Sequence, residues 1–182
     1  TSNSTGQLND VYFDPDGRHG WAVGDGGEIL ATTDAGVNWT RQASNSLFNL
    51  NGVWFTSPDS GWVVGNAGMA LHTTNGGATW EAVNTGLTDV FVRVLTVDPT
   101  IPTTVYAGTA GGGVFKSTNG GDSWKVVKTG LPTSSIKAIA IDPSTPTILY
   151  AGTDGGGFFK STNGGESWKA VNTGLTNLQV WA

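Results

Sequence analysis

Residues 117–124 read Ser-Thr-Asn-Gly-Gly-Asp-Ser-Trp, and closely related octets occupy residues 32–39, 73–80 and 161–168. The tryptophans that end the octets recur every 41 to 44 residues along the chain. An Asn-Gly or Asp-x-Gly turn at a fixed offset before an aromatic residue predicts a tight hairpin followed by a strand. A repeat of this length holds four short strands, which is the size of one blade of a β-propeller.

Each octet has a structural interpretation. An Asp or Asn at the third position can accept backbone N–H groups of the turn, and glycine tolerates the positive φ that such a turn requires. The indole that follows can fold over the turn and bury ~150–250 Å². We assign this architectural role to the third, fifth and eighth residues of the octets: Asp34, Gly36, Trp39, Asn75, Gly77, Trp80, Asn119, Gly121, Trp124, Asn163, Gly165 and Trp168.

The flanks of the octets align as well, which divides the chain into a polar leader and four units. The leader is 1–7, the units are Leu8–Ser46, Leu47–Gly86, Leu87–Gly130 and Leu131–Gly174, and residues 175–182 are a further segment. In the fourth unit, alternation and turn residues predict strands at Ile136–Ile141, Thr147–Thr153, Phe158–Thr162 and Trp168–Asn172. Leu178–Ala182 aligns with Asn9–Phe13, so the chain is expected to end one strand into a fifth unit.

Composition supports an all-β fold and excludes several classes of function. The chain has 28 Gly and 8 Trp, but only 13% of its residues are charged, which is poor in helix formers and rich in turns. A net charge of −5 lacks the basic footprint of a nucleic-acid-binding protein. No apolar stretch is long enough to span a membrane. The absence of Cys excludes disulfides and thiol catalysis. Low charge with much Thr, Asn and Gly favours a secreted, cell-surface or periplasmic protein.

The octet resembles the Asp-box, or bacterial-neuraminidase repeat, Ser/Thr-x-Asp-x-Gly-x-x-Trp. This resemblance implies a β-propeller of four-stranded antiparallel blades. The first two units, with Gly20-Trp-Ala-Val-Gly-Asp-Gly-Gly-Glu28, resemble the repeats of photosystem II assembly factors. The last two units, with Val105-Tyr-Ala-Gly-Thr109, are more similar to propellers of sialidase and xyloglucanase type. Asp-box propellers include both binding proteins and glycosidases, so the resemblance identifies a fold rather than an activity.

A search for catalytic groups finds no convincing set. The arginines Arg18, Arg41 and Arg93 fall at inequivalent places in their units and are interpreted as solvated surface residues. Asp14, Asp98 and Asp142 share one Asp-Pro turn, and repetition of that kind indicates structure. No catalytic residue, metal site or cofactor is therefore predicted. His19 and His72 lack the spacing of a zinc site, and the Gly-rich turns precede strands rather than phosphate-binding helices.

Ligand binding is expected where the loops joining neighbouring units converge. Asp25, Asn66 and Asp154 are the candidate ligand-binding residues, with Ala110 at the matching place of the third unit. The linking segments Asn45–Asn49, Thr88–Val90, Thr133–Ser135 and Thr176–Asn177 are expected beside them. Such a surface is small, polar and weakly charged, which suits a protein or a glycan better than an ionic metabolite.

Three functional hypotheses follow from these observations. The first is a non-catalytic interaction or scaffold module of an exported bacterial protein, which binds a protein or glycan. The second is a fragment of a propeller glycoside hydrolase, for which Asp25 and Asp154 are the candidate carboxylates. The third is an engineered repeat propeller, suggested by the joining of two kinds of unit. Four units form a small propeller, so we expect a homo-oligomeric (dimeric) ring or part of a longer chain.

Overall fold

The computed structural model describes residues 4, 6–89, 91–132 and 134–180, and every structural statement below concerns these residues. Sixteen strands form four sheets. The first two sheets contain β1 (Leu8–Phe13), β2 (Gly20–Gly24), β3 (Ile29–Thr32) and β4 (Thr40–Gln42), then β5 (Leu50–Phe55), β6 (Gly61–Gly65), β7 (Ala70–Thr73) and β8 (Glu81–Ala82). The last two contain β9 (Val92–Val97), β10 (Val105–Thr109), β11 (Val114–Ser117) and β12 (Lys125–Val126), then β13 (Ile136–Ile141), β14 (Leu149–Thr153), β15 (Gly157–Ser161) and β16 (Lys169–Ala170).

Each sheet is an antiparallel meander in which strands pair in chain order. The first strands of successive sheets contact one another, β1 with β5, β5 with β9 and β9 with β13, so they form the inner edge of the arrangement. The helical content of the described residues is one 3₁₀ turn at Asp25–Gly27. The predicted all-β propeller architecture of four-stranded blades is therefore confirmed. The part of the chain that the structure describes holds no helix long and apolar enough to cross a membrane.

The hydrophobic core lies in three seams between neighbouring blades. Each seam joins the trailing face of one blade to the leading face of the next. In the first seam, Trp21 and Val23 of one blade pack against Phe55 and Trp80 of the next. The same pattern recurs between the second and third blades and between the third and fourth blades, where Trp124 and Trp168 take the place of Trp80. Burial of apolar surface in these seams is what holds the blades together.

The Asp-box turns are organised around a buried hydroxyl that the sequence analysis did not single out. The first residue of each box is Thr or Ser, and in the third box Ser117 Oγ accepts the N–H of Gly121 at 2.8 Å and donates to Asn119 Oδ1 at 2.8 Å. Asn119 Oδ1 also accepts the N–H of Ser123 at 3.0 Å. The other three boxes repeat these bonds at 2.8–3.0 Å. The third residue therefore acts with the hydroxyl, and the two close the turn together.

The box tryptophan links its blade to the preceding one. Trp168 donates its backbone N–H to Thr129 O at 2.8 Å and its indole N–H to Val127 O at 2.9 Å. Trp124 makes the corresponding bonds, both at 2.8 Å or less. Because Trp168 is bonded across the seam, the last strand begins one residue later than predicted, at Lys169. The buried indole N–H of Trp80 has no hydrogen-bond partner among the described residues.

Trp39 and Tyr150 differ from their counterparts because each lies on a blade face that no other blade covers. Trp39 is half-buried and turns its indole N–H back to Gly36 O at 3.1 Å. Alignment of the units makes Tyr150 the counterpart of Trp21, which predicts a packing residue of the second strand. The structure corrects this interpretation, since Tyr150 is 38% exposed and Trp21 only 3%.

The final segment lies in a different register from the one predicted. The alignment placed Val180 with Val11, the fourth residue of a first strand. In the structure Val180 packs on Gly152, as Ile136, the first residue of β13, packs on Gly108. Each glycine leaves a gap that a branched side chain fills. Val180 therefore corresponds to the first residue of a first strand and not to the fourth, which is a shift of three residues from the predicted alignment. Trp181 and Ala182, the rest of the predicted strand, lie outside the described residues.

The seam predicts an unequal response to alanine at two glycines. Gly130 has a φ of 89°, and a Cβ there would meet Trp168 O across the seam, whereas Gly120, with a φ of 73°, faces open space. Both substitutions incur the strain of positive φ, but only Gly130→Ala forces the blades apart. We expect Gly130→Ala to lower the free energy of unfolding by about 1–3 kcal/mol more than Gly120→Ala in denaturant titrations. Equal losses would contradict the assigned role of the seam.

A second prediction concerns the first Asp-box. Asp34 accepts the backbone N–H and the side-chain Nδ2–H of Asn38, each at 2.8 Å, and these hydrogen bonds lower its pKa to about 2. The other boxes pair Asn with Ser or Thr instead. Asp34→Asn alone replaces the charged acceptor of the Asn38 bonds by a neutral amide and forces the Asn38 amide to turn over to keep the side-chain bond, so it should lower the melting temperature. Adding Asn38→Ser should restore it.

The hydrogen bonds between Asn38 and Asp34 also make the stability of the folded chain depend on pH. The pKa of Asp34 is lower in the folded chain, so its stabilising effect is complete above the unfolded value of about 4 and is lost as the pH falls towards 2. The double variant, Asp34→Asn with Asn38→Ser, should therefore lose less stability than the wild type between these pH values. A single variant as stable as the double one would refute the pairing.

Candidate functional site

The loop face is the end of the sheets formed by the turns between second and third strands together with the links between blades. In every blade one backbone hydrogen bond holds the two parts of this face together. The residue after the second strand donates its N–H to a carbonyl in the link that leads into the first strand of the same blade. The donor–acceptor pairs are Asp25 to Gln7 (2.9 Å), Asn66 to Asn49 (2.8 Å), Ala110 to Phe91 (2.9 Å) and Asp154 to Ser135 (2.9 Å). The two sets of segments predicted to form a common surface therefore adjoin. Val90 and Thr133, which belong to the predicted links, lie outside the described residues.

The Asp-boxes lie at the opposite end of the sheets from the loop face. Each box is the turn between the third and fourth strands, and in an antiparallel meander that turn is at the far end from the turn between the second and third strands. The box residues Asp34, Asn75, Asn119 and Asn163 therefore do not contribute to the candidate site.

The candidate residues each face the second residue of their blade's first strand. Asn9 Nδ2 donates to Asp25 Oδ1 at 3.1 Å and also to Leu50 O of the next blade at 2.9 Å. Asn51 repeats both bonds, to Asn66 Oδ1 at 2.9 Å and to Val92 O at 2.7 Å. These contacts orient Asp25 and Asn66 at the inner edge. Ligand binding by these two residues stays a prediction.

In the fourth blade the same pair is ionic. Lys137 Nζ lies 3.3 Å from Asp154 Oδ2, and 40% of the Asp154 side chain remains exposed. The corresponding pair is an amide with a carboxylate in the first blade and two amides in the second. In the fourth blade it is a salt bridge. The carboxylate of Asp154 is already neutralised by a cation of its own blade.

The third blade breaks the pattern and leaves a cation free. Its pair is Arg93 and Ala110, and alanine offers no acceptor. Arg93 is exposed and has no hydrogen-bond or ion-pair partner in the described part of the chain. The sequence analysis interpreted Arg93 as an ordinary surface residue. The second residues of the four first strands are Asn9, Asn51, Arg93 and Lys137, and we call them the inner row. The place of Arg93 in this row could have been found by aligning it with the other three, whose side chains are all paired.

Asp89 supports the turn beside Arg93. One of its carboxylate oxygens accepts the N–H of Phe91 at 2.9 Å, and the other accepts the N–H groups of Gly111 and Gly112. This carboxylate joins the link between the blades to the glycine-rich turn. The methyl group of Ala110 cannot make the polar contact that Asp25, Asn66 and Asp154 make in the other blades. The N–H groups of this glycine-rich turn therefore bind a carboxylate of the chain itself, and no phosphate ligand is needed to satisfy them.

A second charged group of the loop face was not anticipated. Glu28 is buried, and its carboxylate accepts hydrogen bonds from Arg41 at 2.6 Å and Ser4 at 2.8 Å. Arg41, expected to be a solvated surface residue, is 53% exposed as expected and is also the partner of this buried carboxylate. The pair joins the residue before β3 to β4 of the same sheet, and no sequence motif marks it.

The candidate carboxylates lie on blades that are not neighbours in the chain. Asp25 belongs to the first blade and Asp154 to the fourth, with two blades between them. Asp98 and Asp142 accept backbone N–H groups of their own turns, at 2.8–3.1 Å. In a glycosidase two carboxylates lie ~5–10 Å apart on either side of the scissile bond. A catalytic role for Asp25 and Asp154 stays a prediction from the sequence.

One group of potential metal ligands occurs in the described residues, at the first turn of the first blade. Ligand atoms of Asp14, Asp16 and His19 lie within 4.8 Å of one another. His19 Nδ1 is 2.9 Å from Asp14 Oδ2, and the other Asp14 oxygen accepts the His19 N–H at 3.1 Å. Asp16 accepts the N–H of Arg18. These atoms are already used in closing the turn.

An apolar cavity of 360 Å³ lies on the inner strands of the second to fourth blades. Its walls include Trp54, Thr96, Val97, Ile139, Ile141 and Pro143. No charged side chain lines it, so it suits an aliphatic or aromatic group rather than an ion. Thr96 follows Arg93 by three residues on β9, which is about 10 Å along an extended strand.

Comparison with solved structures shows the fold. A structure titled as an ancestral GH74 enzyme matches with a TM-score of 0.76 and 23% identity over 91% of this chain and 24% of its own. YCF48 from Cyanidioschyzon merolae matches with a TM-score of 0.70 and 25% identity over 93% of this chain and 57% of its own. A structure titled YCF48 bound to D1 peptide matches with a TM-score of 0.62 and 20% identity, covering 97% and 70% of the two chains.

The chain thus spans about a quarter of the first of these relatives and more than half of the other two. A comparison with curated proteins finds no match. The sequence profile of one family, described as photosynthesis system II assembly factor YCF48, matches twice, over residues 2–128 and 51–177. The two matches together cover nearly the whole repeat region. The chain belongs to the YCF48 family of photosynthesis system II assembly factors.

Proposed function

We propose that this chain is a non-catalytic binding module that holds a segment of a partner protein at its inner edge on the loop face. The observation that carries the proposal is the unpaired Arg93 at the loop-face end of β9, with an apolar cavity about 10 Å further along the same strand. A guanidinium in this position offers a planar, bidentate site for a carboxylate. The partner segment therefore carries a carboxylate and, about 10 Å from it, an apolar side chain that enters the cavity.

The pairing of the neighbouring cations supports this choice of ligand. The neighbouring ionic groups, Lys137 with Asp154 and Arg41 with Glu28, neutralise one another. Arg93 is the cation that remains for a ligand among the described residues of the inner row. A carboxylate that pairs with it need not displace an internal partner. The relative solved with a D1 peptide supports a peptide as the kind of ligand, because it belongs to the same family.

Catalysis is not part of the proposal. The GH74 enzyme shares the fold at 23% identity, which shows architecture and not activity. The two candidate carboxylates, Asp25 and Asp154, are separated by two blades, and each is bonded within its own blade. A glycan partner and export from the cell remain expectations from composition. Hydrolysis of xyloglucan or a sialoside by the purified chain would overturn the non-catalytic assignment.

The proposal predicts selective loss of binding on changing one arginine. The probes are synthetic peptides, the D1 peptide first, each prepared with a free C-terminal carboxylate and as the C-terminal amide. We expect the free acid to bind more tightly in calorimetric titrations. Arg93→Ala should weaken binding of the acid by about tenfold or more, since a charged hydrogen bond contributes ~1.5–3 kcal/mol. It should change binding of the amide little.

The matched control is Arg18→Ala. Arg18 lies in the turn between β1 and β2, at the end of the sheets opposite the loop face. This variant removes the same charge and should bind like the wild type. If both variants lose affinity equally, general electrostatics and not the Arg93 site explains the binding. If no peptide binds, the proposed function is wrong.

A further inference from the structure

The first strands of the four blades share a position whose side chain changes from large to small along the chain. The fifth residues of β1, β5, β9 and β13 are Tyr12, Trp54, Thr96 and Ala140. We propose that the apolar cavity beside Thr96 is the place of an aromatic side chain, which the partner segment inserts there. This inference rests on the proposed function and names the class of side chain that the cavity selects.

In the first seam an aromatic ring of the chain itself occupies this place. Tyr12 extends from the first blade to the second, where its ring centroid lies 5.4 Å from that of Trp54 and 6.3 Å from that of Phe55. The Tyr12 ring also packs against the buried residues of the seam. Its two aromatic neighbours are the fifth and sixth residues of the next first strand. These two positions therefore mark the place of the ring.

The second seam also contains a ring at this position. Trp54, the counterpart of Tyr12, packs against the core between the second and third blades. That core includes Val97, which is the sixth residue of β9 and so corresponds to Phe55. An indole thus occupies in the second seam the place that a phenol ring occupies in the first.

The third seam has a cavity where the other two have a ring. Thr96 holds the fifth position of β9, and its small side chain borders the cavity of 360 Å³. Ala140 and Ile141 are also among the walls. In the first seam the same two positions are held by Trp54 and Phe55, the neighbours of the inserted ring. The cavity is therefore bordered by the residues that would contact an aromatic side chain at this position.

The chemistry of the walls favours a ring over a small or charged side chain. Ile139, Ile141, Pro99 and Pro143 supply apolar surface, and no charged side chain of the described residues lines the cavity. The indole of Trp54 also borders it. Two aromatic rings attract each other in tilted or offset arrangements with centroids about 4.5–7 Å apart, which gives a ring an advantage over an aliphatic side chain of similar size.

One short segment can reach both the cavity and the unpaired arginine. Arg93 is the second and Thr96 the fifth residue of β9, a separation of about 10 Å along the strand. A segment in the polyproline II conformation presents residues three apart on one side, about 9 Å from each other. We therefore expect the aromatic residue of the partner about three positions from its carboxylate.

The first test fills the cavity from within the chain. Thr96→Tyr supplies the side chain that the first blade has at this position, and it should raise the melting temperature by roughly 2–5 °C, because filling a cavity stabilises a fold. Thr74→Tyr is the matched control. It adds the same ring at an exposed position of the second Asp-box and should leave the melting temperature unchanged. A lower melting temperature in Thr96→Tyr than in Thr74→Tyr would contradict the assignment of the cavity to a ring.

The second test compares peptides in NMR titrations. The probes are short synthetic peptides with a free C-terminal carboxylate and Phe, Leu or Ala three positions before the last residue. We expect the Phe peptide to bind about two- to tenfold more tightly than the Leu peptide and about tenfold or more tightly than the Ala peptide. This preference should disappear in Thr96→Tyr and persist in Thr74→Tyr. Arg93→Ala should weaken all three peptides by a similar factor.

The outcomes separate this inference from the proposed function. Binding that depends on Arg93 but is equal for the three peptides would overturn the aromatic site and leave the proposed function standing. If no peptide binds, the proposed function is wrong, and free indole then tests the cavity alone. Indole should shift the methyl signals of Ile139 and Ile141 in the wild type and in Thr74→Tyr, but not in Thr96→Tyr. No shift in the wild type, or equal shifts in Thr96→Tyr, would overturn the aromatic site.

Discussion

Packing of the apolar face of one blade against the next is the constraint on which the rest of the structure depends. In two of the three seams a hydrogen bond from the box tryptophan, Trp124 or Trp168, to a carbonyl of the preceding blade fixes this packing, while the Ser hydroxyl of the same box closes its turn. A blade alone is a small four-stranded meander with apolar residues on both faces. Covering these faces stabilises it, so the contacts that set blade against blade determine what the apolar surface can bury.

The fold could be predicted from the sequence because its signals are local and repeated. The octet fixes a hairpin, the spacing fixes the number of strands, and Ile136–Ile141 was predicted at its observed bounds. The register of the final segment could not be predicted in this way. The alignment of Leu178–Ala182 with Asn9–Phe13 uses the local pattern alone, whereas the place of Val180 depends on the gap left by Gly152, which is far away in sequence.

The candidate site was predictable only in position. Convergence of the loops follows from topology, and the sequence therefore indicates Asp25, Asn66 and Asp154. It does not reveal that Asn9, Asn51 and Lys137 already satisfy these residues. Among the described residues Arg93 is left without a partner because the methyl group of Ala110 offers no acceptor. A missing acceptor in one unit becomes visible only when the row of first-strand residues is compared across all four blades.

The bonds that close each Asp-box join residues no more than four positions apart. Such contacts cost little loop-closure entropy, so the hairpin of the third and fourth strands can form before distant parts of the chain meet. The seams join residues about 40 positions apart and follow later. Folding is then expected to proceed by docking preformed hairpins in chain order, and a whole unit could be gained or lost by recombination without creating a new kind of contact.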